Sequence, residues 1–296
     1  MRQVVRYLAL AVALSGIVIP VLAQPRQTQP VQLNKLSDRL YEVVGGSGAR
    51  GGAYIGDDAV LLIDSKMDKA SVDQALSAVK AVTDKSIKYL VNTHGDGDHI
   101  RGNQYMPATI TVIAQENCRK EFFLPGREGK PSEWTNPDLS RFVPSVTFHD
   151  RMDIYLGSKK VELWSFGTGH TTGDTVVYFP GEKTAFIGDQ VFVGRVPLIH
   201  AYKGGNTLEQ VKTLRRMLTT LDGATTFCTG HSDPIDRNGV LQHITAMEAR
   251  QAKVRDLVKQ GKTLDEVKAS FSSGEAGLIE IIWNEVQKTN TSKTNG

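Results

Sequence analysis

Within VNTHGDGDHIRGN, residues 91–103, His94, Asp96, Asp98 and His99 occupy four of six consecutive positions, at the end of the apolar run IKYLVNT. A short apolar run that ends in imidazoles and carboxylates reads as a buried strand delivering ligand-type side chains to a sheet edge. Residues two apart in extended chain point to the same side. His94, Asp96 and Asp98 are therefore expected to converge, while His99 faces away unless the chain turns and takes it to a second centre. Gly95 and Gly97, without side chains, let the backbone wrap closely. Ligand type and spacing together point to a metal.

The flanking segments predict the scaffold. RLYEVVGG and GAYIGDDAVLLID read as strands, the second broken by a GDDA turn. Residues 67–83 place Val72, Leu76, Val79 and Val82 at helical spacing. IKYLVNT and ATITVIAQ are the next strands. Residues 124–144, with four prolines and an isolated Trp134, have two readings, a binding loop or lid and a surface excursion. Strands resume at KVELWSF, DTVVYFP and KTAFIGD. A helix at LEQVKTLRRMLTTL, a strand at ATTFCTG and a last long helix over 240–259 follow. Strands and helices in two successive batches argue for a layered α/β fold, each half giving a sheet covered on its outer face by helices.

Three further ligand-type residues sit where a strand gives way to loop: His170 in SFGTGHTTGDT, Asp189 in TAFIGDQVF and His231 in TFCTGHSDP. Strand ends are where α/β scaffolds present their chemistry. Seven candidate ligands are too many for one catalytic zinc but suit two metals roughly 3.5–4 Å apart, bridged by water or hydroxide. Thr93, Thr171 and Asn103 are candidates to orient ligands. The segment RVPLIHAYKGGN is either a surface loop or an arm. As an arm it carries His200 and Tyr202, beside Lys203, to the substrate as oxyanion donor or proton source. His149 and His243 look ordinary.

This set resembles the metallo-β-lactamase superfamily, whose pattern is His-x-His-x-Asp-His, then a histidine, a bridging aspartate and a last histidine. The likeness runs in order across nearly the whole chain behind the leader. It implies a four-layer αββα sandwich with the metals at one edge, between the sheets. It also implies that His94 and His170 hold the first metal, that Asp98, His99 and His231 hold the second, and that Asp189 bridges them. One position departs: Asp96 stands where the family usually has a second histidine, although flavodiiron members carry an acidic residue there. As a ligand, Asp96 brings a positively charged centre to neutrality, which weakens its Lewis acidity and favours harder ions. Zinc is the first expectation for both metals, with iron or manganese as alternatives.

The activity implied is hydrolysis of an ester, thioester, lactone or β-lactam. A metal-bridged hydroxide attacks the carbonyl, and Asp98 helps move the proton to the leaving group. The resemblance also sets a broad carbonyl hydrolase ahead of a dedicated β-lactamase, because the closest β-lactamase subgroup usually has cysteine or serine where Asp189 stands. An iron-dependent oxidoreductase or dioxygenase of the same fold is the alternative that Asp96 motivates. A binding protein without turnover is disfavoured by the complete ligand set.

The amino terminus carries Arg2 and Arg6, an apolar run to Ala23 and a small-residue cleavage point, the layout of a secretory signal peptide. Residues 1–23 are expected to be removed, leaving an exported protein, periplasmic or secreted, with no membrane anchor. One domain is expected over 24–290 and a polar disordered tail over 291–296. Loss of the two arginines takes the formal charge from +3 to +1, which leaves no footprint for nucleic acid; the expected partner is a small-molecule substrate. Cys118 and Cys228 could pair in an exported protein or stand as small buried hydrophobes.

Overall fold

The computed structural model describes residues 29–125 and 129–294. The expected signal peptide and residues 295 and 296 lie outside the described residues. Two sheets form the centre. The first holds β1 (Gln32–Lys35), β2 (Leu40–Val44), β3 (Gly51–Ile55), β4 (Val60–Ile63), β5 (Ile87–Val91), β6 (Thr111–Gln115) and β7 (Val146–Phe148), in that spatial order. Pairing is antiparallel from β1 to β4 and parallel from β4 to β7. The second holds β8 (Arg151–Leu156), β9 (Lys159–Trp164), β10 (Val176–Phe179), β11 (Thr184–Phe186) and β12 (Thr226–Cys228), in spatial order β12-β11-β10-β9-β8. Only β11 and β12 pair in parallel there.

Alternation along the strands makes the layers. Leu61 and Ile63 of β4, Val91 of β5 and Ile113 of β6 meet Leu163, Val177, Phe179 and Phe186 of the second sheet in one buried cluster. Their neighbours Val60, Leu62, Leu90 and Val112 point the other way, onto α1 (Lys69–Val82). Asp68 caps α1, its carboxylate accepting from the Ser71 N–H at 2.8 Å. The buried face of α1 is Val72, Ala75 and Val79; Val82, expected on that face, is exposed. On the far side, α4 (Thr207–Thr220), α5 (Arg237–Lys259), α6 (Leu264–Ala269) and α7 (Ala276–Thr294) cover the second sheet. Helix, sheet, sheet, helix is the expected four-layer sandwich. Short helices α2 (Gly97–Ile100) and α3 (Glu116–Glu121) lie along the edge behind β5 and β6.

Helices α6 and α7 go beyond the sequence reading, which ends its helices at 259. The reason is tertiary: Leu278, Ile279, Ile282 and Val286 make an apolar stripe that finds its cover against α4, α5 and α6. α7 also continues to Thr294, four residues into the stretch assigned by composition to a tail. Cys118 and Cys228 are buried and free, in separate clusters. No described helix is long and apolar enough to cross a membrane.

Candidate metal centre

β4 and β5 run side by side and end together, which sets Asp64 against Thr93. Asp64 accepts from the Thr93 N–H and hydroxyl, both at 2.8 Å, and from His99 Nδ1 at 2.7 Å. Beyond His94 the backbone turns. The Asp96 carbonyl accepts from the N–H groups of His99 and Ile100 and so opens α2. This turn corrects the extended-chain expectation that Asp98 would converge with His94 and Asp96. Consecutive residues lie about 100° apart around a helix axis, so Asp98 leaves that side and joins His99. Gly95 is demanded by space, since a Cβ there would lie 2.8 Å from the Glu121 side chain.

All seven expected ligand residues come together at this edge. Their ligand atoms fall into three overlapping groups: His94, Asp96 and His170; His94, His99 and Asp189; Asp98, His99 and His231. Within each group the atoms lie within 4.8 Å of one another. Asp189 belongs to the middle group, which joins the other two through His94 and His99; its Oδ1 lies 3.4 Å from His99 Nε2 and its Oδ2 3.1 Å from His231 Nε2. Gly230 allows this approach, because a Cβ there would stand 2.2 Å from Asp189 Oδ1.

The outward-facing nitrogens are set by what holds the other side of each ring. The Thr93 hydroxyl donates to Asp64 and so presents a lone pair to His94 Nδ1, at 3.1 Å. Asp64 accepts from His99 Nδ1, and the Leu198 carbonyl from His170 Nδ1 at 2.8 Å. All three rings therefore keep Nδ1 protonated and turn Nε2 towards the centre, where a cation would take the place of the proton that His170 Nε2 shares with Asp96.

His94 Nε2, His99 Nε2 and Asp189 Oδ1 are buried without a hydrogen-bond partner. An orphaned buried polar atom costs about 1–3 kcal/mol, and three facing one point fit a cation. The donors are nitrogen and oxygen only, which suits zinc, iron or manganese.

Ionisation follows the same geometry. Burial and the neighbouring His99 push His94 down to about 4. Burial works against the charged form of His170, yet its hydrogen bond to Asp96 raises it to about 9. Asp98, although burial opposes ionisation, is held at about 2 by the hydrogen bond from His231. Burial also opposes ionisation of Asp96 and Asp189, and the facing histidines hold both below the ordinary carboxylate range.

Asp96 is gripped from outside the ligand set. His200 Nε2 lies 2.6 Å from its Oδ2, and Lys203 Nζ donates to its Oδ1 at 2.6 Å and to the Gly95 carbonyl at 2.8 Å. The segment behind β11 is thus an arm over the centre rather than a free surface loop. Tyr202 stands exposed on the rim, its ring edge-on to His200. Three residues at the centre were not singled out from sequence: Asp64, Lys203 and Glu121. Asp64 carries the signal that found Asp189, an aspartate closing an apolar strand.

A cleft of about 730 Å³ opens onto Asp96 and Asp98. Its walls include Phe122, Trp134, Leu198 and Tyr202. The proline-rich segment forms one wall: Trp134 is buried against Phe122 with ring centroids 5.0 Å apart, and Glu133 pairs with Arg101 at 2.8 Å. Of its two readings, this favours the binding loop.

A profile described as the metallo-beta-lactamase superfamily matches residues 52–231. The metallo-beta-lactamase type 2 of Bacteroides fragilis is 22% identical over 225 residues, 73% of this chain and 85% of that one. The 2,4-dinitroanisole O-demethylase subunit alpha of Nocardioides sp. (strain JS1661) is 24% identical over 147 residues. That match takes in 48% of this chain but only 41% of the demethylase subunit. Among solved structures, a metallo-beta-lactamase from Pontibacter korlensis superposes with a TM-score of 0.61 at 18% identity, covering 74% of this chain and 99% of that one. The DIM-1 metallo-beta-lactamase gives 0.59 at 15%, covering 75% and 99%.

Proposed function

The chain belongs to the metallo-β-lactamase superfamily, and we propose that it is an exported hydrolase with two divalent metal ions, zinc first, acting on an ester, thioester, lactone or β-lactam. One observation carries the reading: three ligand groups overlap through His94 and His99, and buried, unpartnered Nε2 and carboxylate atoms of His94, His99 and Asp189 face one another beside a cleft that opens onto Asp96 and Asp98. His94, Asp96 and His170 would hold one ion, Asp98, His99 and His231 the other, with Asp189 between. Ions held there lower the pKa of a water towards neutral and polarise a carbonyl.

The chain's own groups do the rest. Asp98 reaches the cleft, is one-third exposed, and stays ionised at neutral pH. Its carboxylate is the group to take up a proton and pass it to the leaving group. Phe122, Trp134 and Leu198 offer an apolar wall for a small-molecule substrate's flank. The coverage of the Bacteroides enzyme favours a β-lactamase as the second reading.

The test is metal content of the purified mature protein followed by a panel of lactone, thioester, ester, chromogenic cephalosporin and 2,4-dinitroanisole. The expected result is two ions per chain and chelator-sensitive cleavage of a lactone, ester or thioester ahead of the cephalosporin. Two bound ions with no carbonyl substrate turned over would sink the hydrolase, and bound iron with oxygen uptake would replace it by redox chemistry. Export is checked by the mass of the protein recovered outside the cytoplasm, expected without residues 1–23.

A further inference from the structure

We propose that Lys203 and Asp96 work as a pair, the buried ammonium cancelling the charge of the carboxylate so that together they present one neutral oxygen ligand where a neutral imidazole would otherwise stand. The inference rests on the dinuclear reading above. The two oxygens of Asp96 have different neighbours. Oδ1 takes the Lys203 ammonium at 2.6 Å. Oδ2 faces His170 Nε2 at 3.1 Å and His94 Nε2 at 3.5 Å, the other members of its ligand group, and is steadied from the arm by His200 Nε2 at 2.6 Å.

Lys203 is built for this position. Its side chain is 6% exposed, and besides Asp96 it donates to the Gly95 carbonyl, with Glu121 Oε2 3.9 Å away. The arm that carries it is tied to the ligand loop: the His200 N–H donates to the His170 carbonyl, and the Lys203 N–H to the His200 carbonyl. Gly204, at φ +75°, then ends the short turn. A buried ammonium needs a partner of opposite charge, so an aspartate at 96 and a lysine at 203 require each other. The pair also answers the charge objection to Asp96. Counted with Lys203, the centre keeps the positive charge of one with histidine at this position, and with it the preference for zinc over harder ions.

The experiment is metal stoichiometry and affinity, by zinc titration and elemental analysis of the full mature chain, for the wild type, D96H, K203M and D96H/K203M. Melting of each without metal accompanies it. D96H alone sets an imidazole against an ammonium left with its longer, 3.9 Å contact to Glu121 as ion pair. It should hold one zinc, with first-site affinity reduced about ten- to hundredfold, the range for losing a partner of a metal ligand. D96H/K203M, neutral at both positions, should hold two. A merely structural lysine would lower the melting point in both backgrounds and could not produce that rescue.

D96H holding two zinc ions like the wild type, or D96H/K203M folded but still at one, overturns the pairing while leaving the hydrolase intact. A wild type that binds fewer than two ions overturns both. Should D96H fail to fold, K203M decides by competition. It should shift preference from zinc towards manganese by about tenfold, the lower end of that range, and an unchanged preference overturns the proposal.

Discussion

Asp64 sits at φ +54°, where most side chains are disfavoured but aspartate and asparagine are tolerated. That strain is held by what its carboxylate does, accepting three hydrogen bonds that fix Thr93 and the ring of His99. Asp64→Asn keeps the shape and the backbone but sets an amide against His99 Nδ1. We expect metal affinity to fall about 10- to 100-fold with little change in metal-free melting; zinc titration checks it, and unchanged affinity would remove Asp64 from the centre. Glu42 in β2 offers a separate test. It is buried, its Oε1 has no hydrogen-bond partner, and Arg50 is 3.7 Å away and engaged with Asp233 at 2.6 Å. Burial pushes its carboxyl from 4.5 to about 7. The folded state therefore holds the proton that the unfolded chain releases. This contribution is fully present below about pH 4.5 and is lost as pH rises to about 7, a span of roughly 3 kcal/mol. Glu42→Gln should gain stability relative to the wild type across that window, read by denaturant unfolding at pH 4.5 and 7.5; parallel curves would refute the buried proton.

The arm that carries His200 and Lys203 leads into α4, and the start of α4 is held from below. Glu285 of α7 accepts from the Thr207 N–H at 2.8 Å and from its hydroxyl, while Gln251 of α5 donates to the Thr207 carbonyl at 2.9 Å. The last helix thus reaches the metal edge through the helix it supports. Glu285→Ala leaves the Thr207 donors buried and unsatisfied, and should cost about 1–3 kcal/mol in unfolding free energy. A variant as stable as the parent would mean that water replaces the carboxylate there. α2 makes the complementary point. Four residues long, it is too short to be stable on its own, yet it decides which carboxylate serves which group, because it separates Asp98 from Asp96.

The sandwich joins at its metal edge segments as far apart in sequence as Asp64 and His231, so an ion held there ties both sheets together. Binding to the folded state alone stabilises it by mass action. At free metal one hundred times the dissociation constant this is about 2.7 kcal/mol per ion, or roughly 5–10 °C in melting temperature for a domain of this size. Removal of metal by chelator should lower the melting point by that order, and zinc should restore it. A melting curve indifferent to chelator would show that the ligand groups hold no ion.

The ligand residues were legible along the chain because they gather just beyond apolar strands, and strand periodicity and residue type are local properties. Most strands and the helices α1, α4 and α5 followed from local periodicity, whereas the order of the strands and the short strands β1, β7 and β8 did not. Three further things were decided only in the folded molecule. Asp64 meets His99 across 35 positions and Lys203 meets Asp96 across 107, contacts set by how strands and arm pack and unmarked by any nearby pattern. The turn at Gly97 overrode the extended-chain alternation, because the backbone groups beyond β5 satisfy one another in a helix. α6 and α7 became visible only against α4 and α5, since an apolar stripe becomes a stable helix when another surface covers it.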